Sequence, residues 1–135
     1  MCELKDYEDM KLLPEYSGLL KNELDVWHKH YLPIIQGATV LDVGAGCGET
    51  AKFFLMHGAG RVIAIENNQR AFTYLSENFR NDDRVIALLD DIGGIKIDIE
   101  GAEENAAIAM HNGLKPVEVW RAPNGMENLF KVLKV

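Results

Sequence analysis

The sequence predicts an α/β fold: one three-layer domain with a mainly parallel sheet of about five strands, helices on both faces and a leading N-terminal helix. Three observations predict it. Short apolar or β-branched runs alternate with stretches of helical periodicity along most of the chain. A glycine-rich loop joins the first such run to the helix after it. The 135 residues, 47% of them hydrophobic, can bury one core and leave little room for a second.

Leu20, Leu24, Trp27 and Tyr31 recur at near-helical spacing after Pro14, so a leading helix is expected from Glu15 to about Tyr31, with Pro33 stopping it. Its aromatic residues either pack on the sheet or close over a ligand; packing is the preferred reading. Residues 1–36 are read as a helical segment packed on a core that spans 37–135, one domain overall. Thr39 to Val43 reads as the first strand and Glu49 to His57 as its helix. Arg61 to Ile65 follows as a strand, Asn68 to Arg80 as a helix with Phe72, Leu75 and Phe79 on one face, and Arg84 to Leu88 as a third strand. Ile95 to Ile99 alternates as IKIDI and is read as the fourth strand, Ala102 to about Asn112 as a helix, Pro116 to Trp120 as a strand and Asn124 to Leu133 as a closing helix.

One link conflicts with this order. Only Asp90 to Gly94 separate the third strand from IKIDI, whereas a parallel crossover takes a dozen or more residues. In the strand order 3-2-1-4-5 the chain would also have to move roughly 14 Å sideways. Two readings stand: a short third strand with a stretched link, or a local hairpin around Gly93-Gly94.

Charge and composition narrow the function classes. A formal charge of -7 disfavours a surface built to track phosphate backbones, so nucleic acid is not the expected partner. With Cys2 and Cys47 as the only cysteines, neither a disulfide framework nor a thiol metal site can be assembled, which fits a reducing, cytoplasmic setting. The opening MCELKDYEDMK has no apolar stretch suited to a signal peptide or spanning helix, so no membrane role is expected.

The chemistry concentrates in VLDVGAGCGET, Val40 to Thr50. Gly44, Gly46 and Gly48 allow positive φ and close approach of a ligand, and the intervening Ala45 and Cys47 offer backbone groups. Asp42 ends the strand two residues before the first glycine. Glu66 lies 24 positions past Asp42, at the end of the second strand, where a carboxylate can accept both hydroxyls of a ribose. The run resembles the first motif of class I, Rossmann-like, S-adenosylmethionine-dependent methyltransferases. That resemblance implies S-adenosylmethionine as cofactor, with Asp42 facing its methionine portion directly or through water. A dinucleotide site is the alternative, since such sites also use an acid like Glu66; a carboxylate such as Asp42 would repel a pyrophosphate and suits a sulfonium and an ammonium instead. Asn67 follows Glu66, and Asp90-Asp91 follow the third strand, where the resemblance implies an acid against the adenine amino group; a solvated turn is the competing reading.

KIDIEGAE, Lys96 to Glu103, resembles the late KIDxEGxE signature of the FkbM methyltransferases, largely O-methyltransferases. The implied acceptor is a small-molecule or sugar-like hydroxyl, with Asp98 or Glu100 as the catalytic base. On a continuous strand these two alternate in direction, and a structural helix-start role competes. The long segment usual before that signature is missing here, so a non-catalytic binding domain stands as the second reading, and an acceptor site left open gives reason to expect a homodimer. His28, His30 and His111 are read as ordinary histidines, and Cys47 as lacking a paired base.

Overall fold

The computed structural model describes residues 4–89, 106–110 and 119–120. After a 3₁₀ turn at Leu4–Tyr7, helix α1 spans Pro14–Ile35, followed by β1 (Thr39–Val43), α2 (Glu49–Met56), β2 (Arg61–Glu66), α3 (Gln69–Asn78), β3 (Val85–Leu89), β4 (Ala106–Met110) and β5 (Val119–Trp120). The sheet order is β3-β2-β1-β4-β5. All pairs are parallel except the antiparallel β4 and β5. β1 pairs Thr39 with Arg61 on one side and with Ala106 on the other.

Every residue of β1 is buried, as are five of the six in β2, which explains their continuous apolar spelling. Val40, Val62 and Ala64 project from one face into a core shared with α1, α2 and α3. Trp27 and Tyr31 of α1 meet Phe53 and Phe54 of α2 edge to face at 5.7 and 5.4 Å. Burial of such rings stabilises by about 2–3 kcal/mol each. α1 is therefore held by core packing, and Ile35, fully buried, carries the helix through Pro33 rather than ending there. The expected stop at Pro33 fails because only the last turn loses a hydrogen bond, and Lys29 and Pro33 lie on the exposed side.

Two further corrections concern the second half. Residues 106–110, expected within a helix, form β4 beside β1. The connection from β3 to β4 is then 90–105, long enough for a parallel crossover, and the conflict over the short link disappears. The connection from β4 to β5, 111–118, is too short for such a crossover, and β5 turns back antiparallel. The strand expected at Ile95 to Ile99, the start of the helix expected from Ala102, and the closing helix at Asn124 to Leu133 lie outside the described residues. Among the described residues, no helix is long and apolar enough to cross a membrane.

Candidate functional site

The glycine loop leaves β1 at its carboxyl end, as ligand-binding loops of open parallel sheets do. Gly44, Gly46 and Gly48 take φ of 81°, 59° and 96°. The backbone amides of this loop can be followed one by one. Gly44 and Ala45 both donate to the Ile65 carbonyl at 2.9 Å, tying the loop to β2. Gly46 donates to Glu66 Oε1 at 2.7 Å and Cys47 to Glu49 Oε2 at 2.9 Å. Gly48 donates to the Ala45 carbonyl at 3.0 Å. All five amides from Gly44 to Gly48 thus have an acceptor within the chain.

Glu66 is 4% exposed and also accepts from the Asn68 amide through Oε2 at 2.8 Å. A carboxylate has about four lone-pair sites, so the two bonds leave acceptor capacity for a diol. Asn68 then caps α3, its Oδ1 accepting from the Arg70 and Ala71 amides at 3.0 and 3.1 Å. On the far side of the loop, Asn78 at the end of α3 donates to the Cys47 carbonyl at 2.8 Å and to the Lys11 carbonyl at 2.9 Å. β2, α3 and the segment before α1 therefore all fix the loop.

A cleft of about 250 Å³ opens beside it. One wall is the loop side: Gly44, Glu49, Thr50, Glu66, Asn67 and Asn68. The other is a single stripe of α1, formed by Tyr16, Leu20, Glu23 and Trp27 at spacings of four, three and four. Burial, with Glu66 and Glu49 nearby, pushes the Tyr16 phenol up to about 12, so it stays protonated and able to donate. Three carboxylates, Glu23, Glu49 and Glu66, line the cleft, yet among the described residues no three groups are placed to hold a metal ion. A wall of this kind suits an organic cation bearing hydroxyls. A larger cleft, about 350 Å³, lies elsewhere, between α2, α3 and the residues around Asp9, with its cations Lys52 and Arg84 paired to Asp9 and Asp82.

No family model and no curated protein matches the chain. Among solved structures it is similar to a Pyrococcus horikoshii protein described as an RNA methyltransferase, at TM-score 0.57 and 20% identity, over 84% of this chain and 61% of that one. It is also similar to the Trypanosoma brucei PRMT1 enzyme-prozyme complex with AdoHcy, at TM-score 0.54 and 20% identity, over 69% and 28%. A third is Haemonchus contortus phosphoethanolamine N-methyltransferase 1 in complex with phosphoethanolamine and S-adenosylhomocysteine, at TM-score 0.54 and 15% identity, over 79% and 23%. The chain shares their fold. It spans less than two thirds of the length of each.

Of the residues singled out from sequence, Gly44, Glu66 and Asn67 line the cleft. Ala45, Gly46, Cys47 and Gly48 are buried and shape the loop behind it. Asp42 is not on the lining. It is fully buried, and its Oδ2 accepts from the Thr50 hydroxyl at 2.8 Å, so Thr50 stands between this carboxylate and the cleft. Asp90, Asp91, Asp98, Glu100 and His111 lie outside the described residues. Glu49, Thr50, Asn68, Tyr16 and Glu23 were not singled out from sequence; Trp27 was, with packing preferred over closing on a ligand, and in the structure it both packs on Phe53 and lines the cleft. The signal available for Glu49 was an acid directly after the last glycine; for α1 it was Glu23 interrupting an apolar stripe.

The buried Cys47 thiol is pushed up to about 11 by burial, its Sγ accepting from the Leu13 amide at 3.5 Å. It is a packing group rather than a nucleophile. In a Cys2→Ser background, iodoacetamide at pH 8 is expected to label Cys47 roughly 100-fold more slowly in the native protein than in urea, read by mass spectrometry. Equal rates would refute this burial.

Proposed function

We propose that the chain binds S-adenosylmethionine in the cleft between the glycine loop and α1 and transfers its methyl group to a hydroxyl of a small-molecule or sugar-like acceptor. The observation that carries the binding reading is the amide accounting: a dinucleotide loop presents free amides to a pyrophosphate, whereas here Gly46 and Cys47 already donate to Glu66 and Glu49. The fold shared with methyltransferases supports the same reading. In it, Glu66 holds the ribose hydroxyls, Asn67 and the Gly44 backbone flank the adenosine, and Asp42 supports the methionine portion through Thr50.

The cofactor brings a methyl carbon already activated by its sulfonium, so the chain's own work is alignment, charge and shelter from water. Asp98 and Glu100, the carboxylates of KIDIEGAE, are assigned to take the acceptor hydroxyl's proton, and Asp90-Asp91 to meet the adenine amino group. The resemblance of that motif to the FkbM enzymes, and the net charge of -7, favour a small acceptor over nucleic acid. A cytoplasmic homodimer completes the reading. Calorimetric titration with S-adenosylmethionine, S-adenosylhomocysteine and NAD tests it. Both sulfur ligands are expected to bind and NAD to fail, with Asp42→Ala weakening the former about tenfold through the stranded Thr50 hydroxyl. Preference for NAD would overturn the proposal.

A further inference from the structure

Trp27 is 1% exposed and lines the 250 Å³ cleft, yet its Nε1 finds no acceptor among the described residues. An indole nitrogen is a donor only, with no tautomer to relieve it, and a buried donor left unpaired destabilises the fold that holds it. The ring's edge-to-face contact with Phe53, at 5.7 Å, supplies packing and no oxygen or nitrogen acceptor. His28 Nδ1 is also without a partner, but a neutral imidazole can leave that nitrogen without a proton, and His28 lines neither cleft.

The position of Trp27 along the cleft decides which end of a ligand it meets. About three turns of α1, or about 16 Å, separate it from Tyr16. Tyr16 packs beside Cys47 and Ala71 and feels the charge of Glu66. Trp27 packs on Phe53, which follows Thr50 by one turn of α2 on the same face. The α1 stripe therefore runs from the Glu66 end of the cleft to the Thr50 end. No Lys, Arg or His lines the cleft among the described residues, and the Thr50 hydroxyl already donates to Asp42. For a ligand anion at the Thr50 end, the donor at hand is the Trp27 N–H.

Resting on the S-adenosylmethionine reading, we infer that the Trp27 N–H holds the carboxylate of the cofactor's methionine portion. Binding then gives the stranded donor its acceptor, in a charge-assisted hydrogen bond closed off from water. An adenosine ligand without that carboxylate leaves the N–H as it stands in the unliganded chain. Trp27 thereby has two tasks, packing α1 onto α2 and fixing the far end of the cofactor.

Trp27→Phe keeps an aromatic ring beside Phe53 and removes the N–H. Wild type and variant are titrated calorimetrically with S-adenosylmethionine, its decarboxylated analogue and methylthioadenosine, once melting curves show the variant folded. Trp27→Phe is expected to weaken S-adenosylmethionine roughly tenfold and to change the other two by less than about twofold. A second measurement needs no change at Trp27. The chain has two tryptophans, so in ¹⁵N-labelled Trp120→Phe protein the remaining indole N–H signal is that of Trp27. Its proton is expected to move downfield with S-adenosylmethionine and not with the decarboxylated analogue; this signal decides alone if Trp27→Phe fails to fold. Equal weakening of S-adenosylmethionine and the decarboxylated analogue would make Trp27 a packing residue and overturn the inference. Unchanged affinities, or an indole proton that responds alike to both ligands, would overturn it too. A wild-type protein that binds none of the three would overturn the cofactor reading itself, a result separable from these.

Discussion

Gly48→Ala is expected to lower the thermal midpoint by roughly 10 °C, the largest stability loss foreseen for any single methyl addition in the glycine loop. Two costs add at this residue. Its φ of 96° lies beyond the left-handed region that alanine can reach cheaply, a strain of about 1–3 kcal/mol. A Cβ would also be driven into the Phe79 ring and would stand 3.0 Å from Leu75 Cδ1, both part of the core that α3 makes with the sheet. Overpacking of this kind costs a further ~1–3 kcal/mol, because neither neighbour is the loose end of a flexible chain. Gly46 provides the control. At φ 59° alanine is tolerable, and the atom it would meet is the end of the Glu49 side chain, which can move. Melting curves by circular dichroism on both variants check the contrast; a Gly48→Ala midpoint within about 2 °C of wild type would show that α3 is not anchored on the loop as described.

The same loop shows what sequence could and could not disclose. β1, α2, β2 and α3 were legible to within two residues at both ends, because burial on one or both faces leaves a period in the residues themselves. β4 was not. Its spelling, AAIAM, carries alanine's preference for helix, yet that preference is worth under about 1 kcal/mol per residue and yields to pairing along all five residues of β1. With β4 misplaced, the link after β3 looked impossibly short.

Within the site, the residues that declared themselves were those whose role is local: the glycines, and Glu66 at a strand end. The stripe of α1 acts across the fold. Tyr16, Leu20, Glu23 and Trp27 reach the cleft only because the packing of Trp27 and Tyr31 on α2 sets α1 against the loop. Asp42 illustrates the reverse case. Its position in the motif was plain, but whether it faced the ligand or Thr50 depended on how α2 follows the loop. A sequence gives the identity of the carboxylate and not the direction of its oxygens.

Glu66→Ala is expected to abolish ligand binding, with affinity for S-adenosylmethionine, S-adenosylhomocysteine and methylthioadenosine each falling at least about 100-fold. The argument begins with the unliganded chain. Glu66 is almost wholly buried, and its two oxygens serve amides on different elements, Gly46 in the loop and Asn68 at the cap of α3. Deleting them strands the buried Gly46 N–H, at a cost of about 1–3 kcal/mol, unpairs the part-buried Asn68 N–H, and frees the loop from the helix cap in one step. In the proposed orientation the ribose loses its acceptor as well, so the loop must be reordered without the contact that would hold it. Because the damage falls on the adenosine side, methylthioadenosine, which has no amino acid portion, should suffer as much as the full cofactor. Glu66→Gln retains one acceptor oxygen but turns an amide donor toward a backbone donor, so an intermediate loss is expected. Titration of both variants with the three ligands decides the matter: methylthioadenosine binding to Glu66→Ala as tightly as to wild type would remove the ribose from this position and with it the orientation assigned to the cofactor.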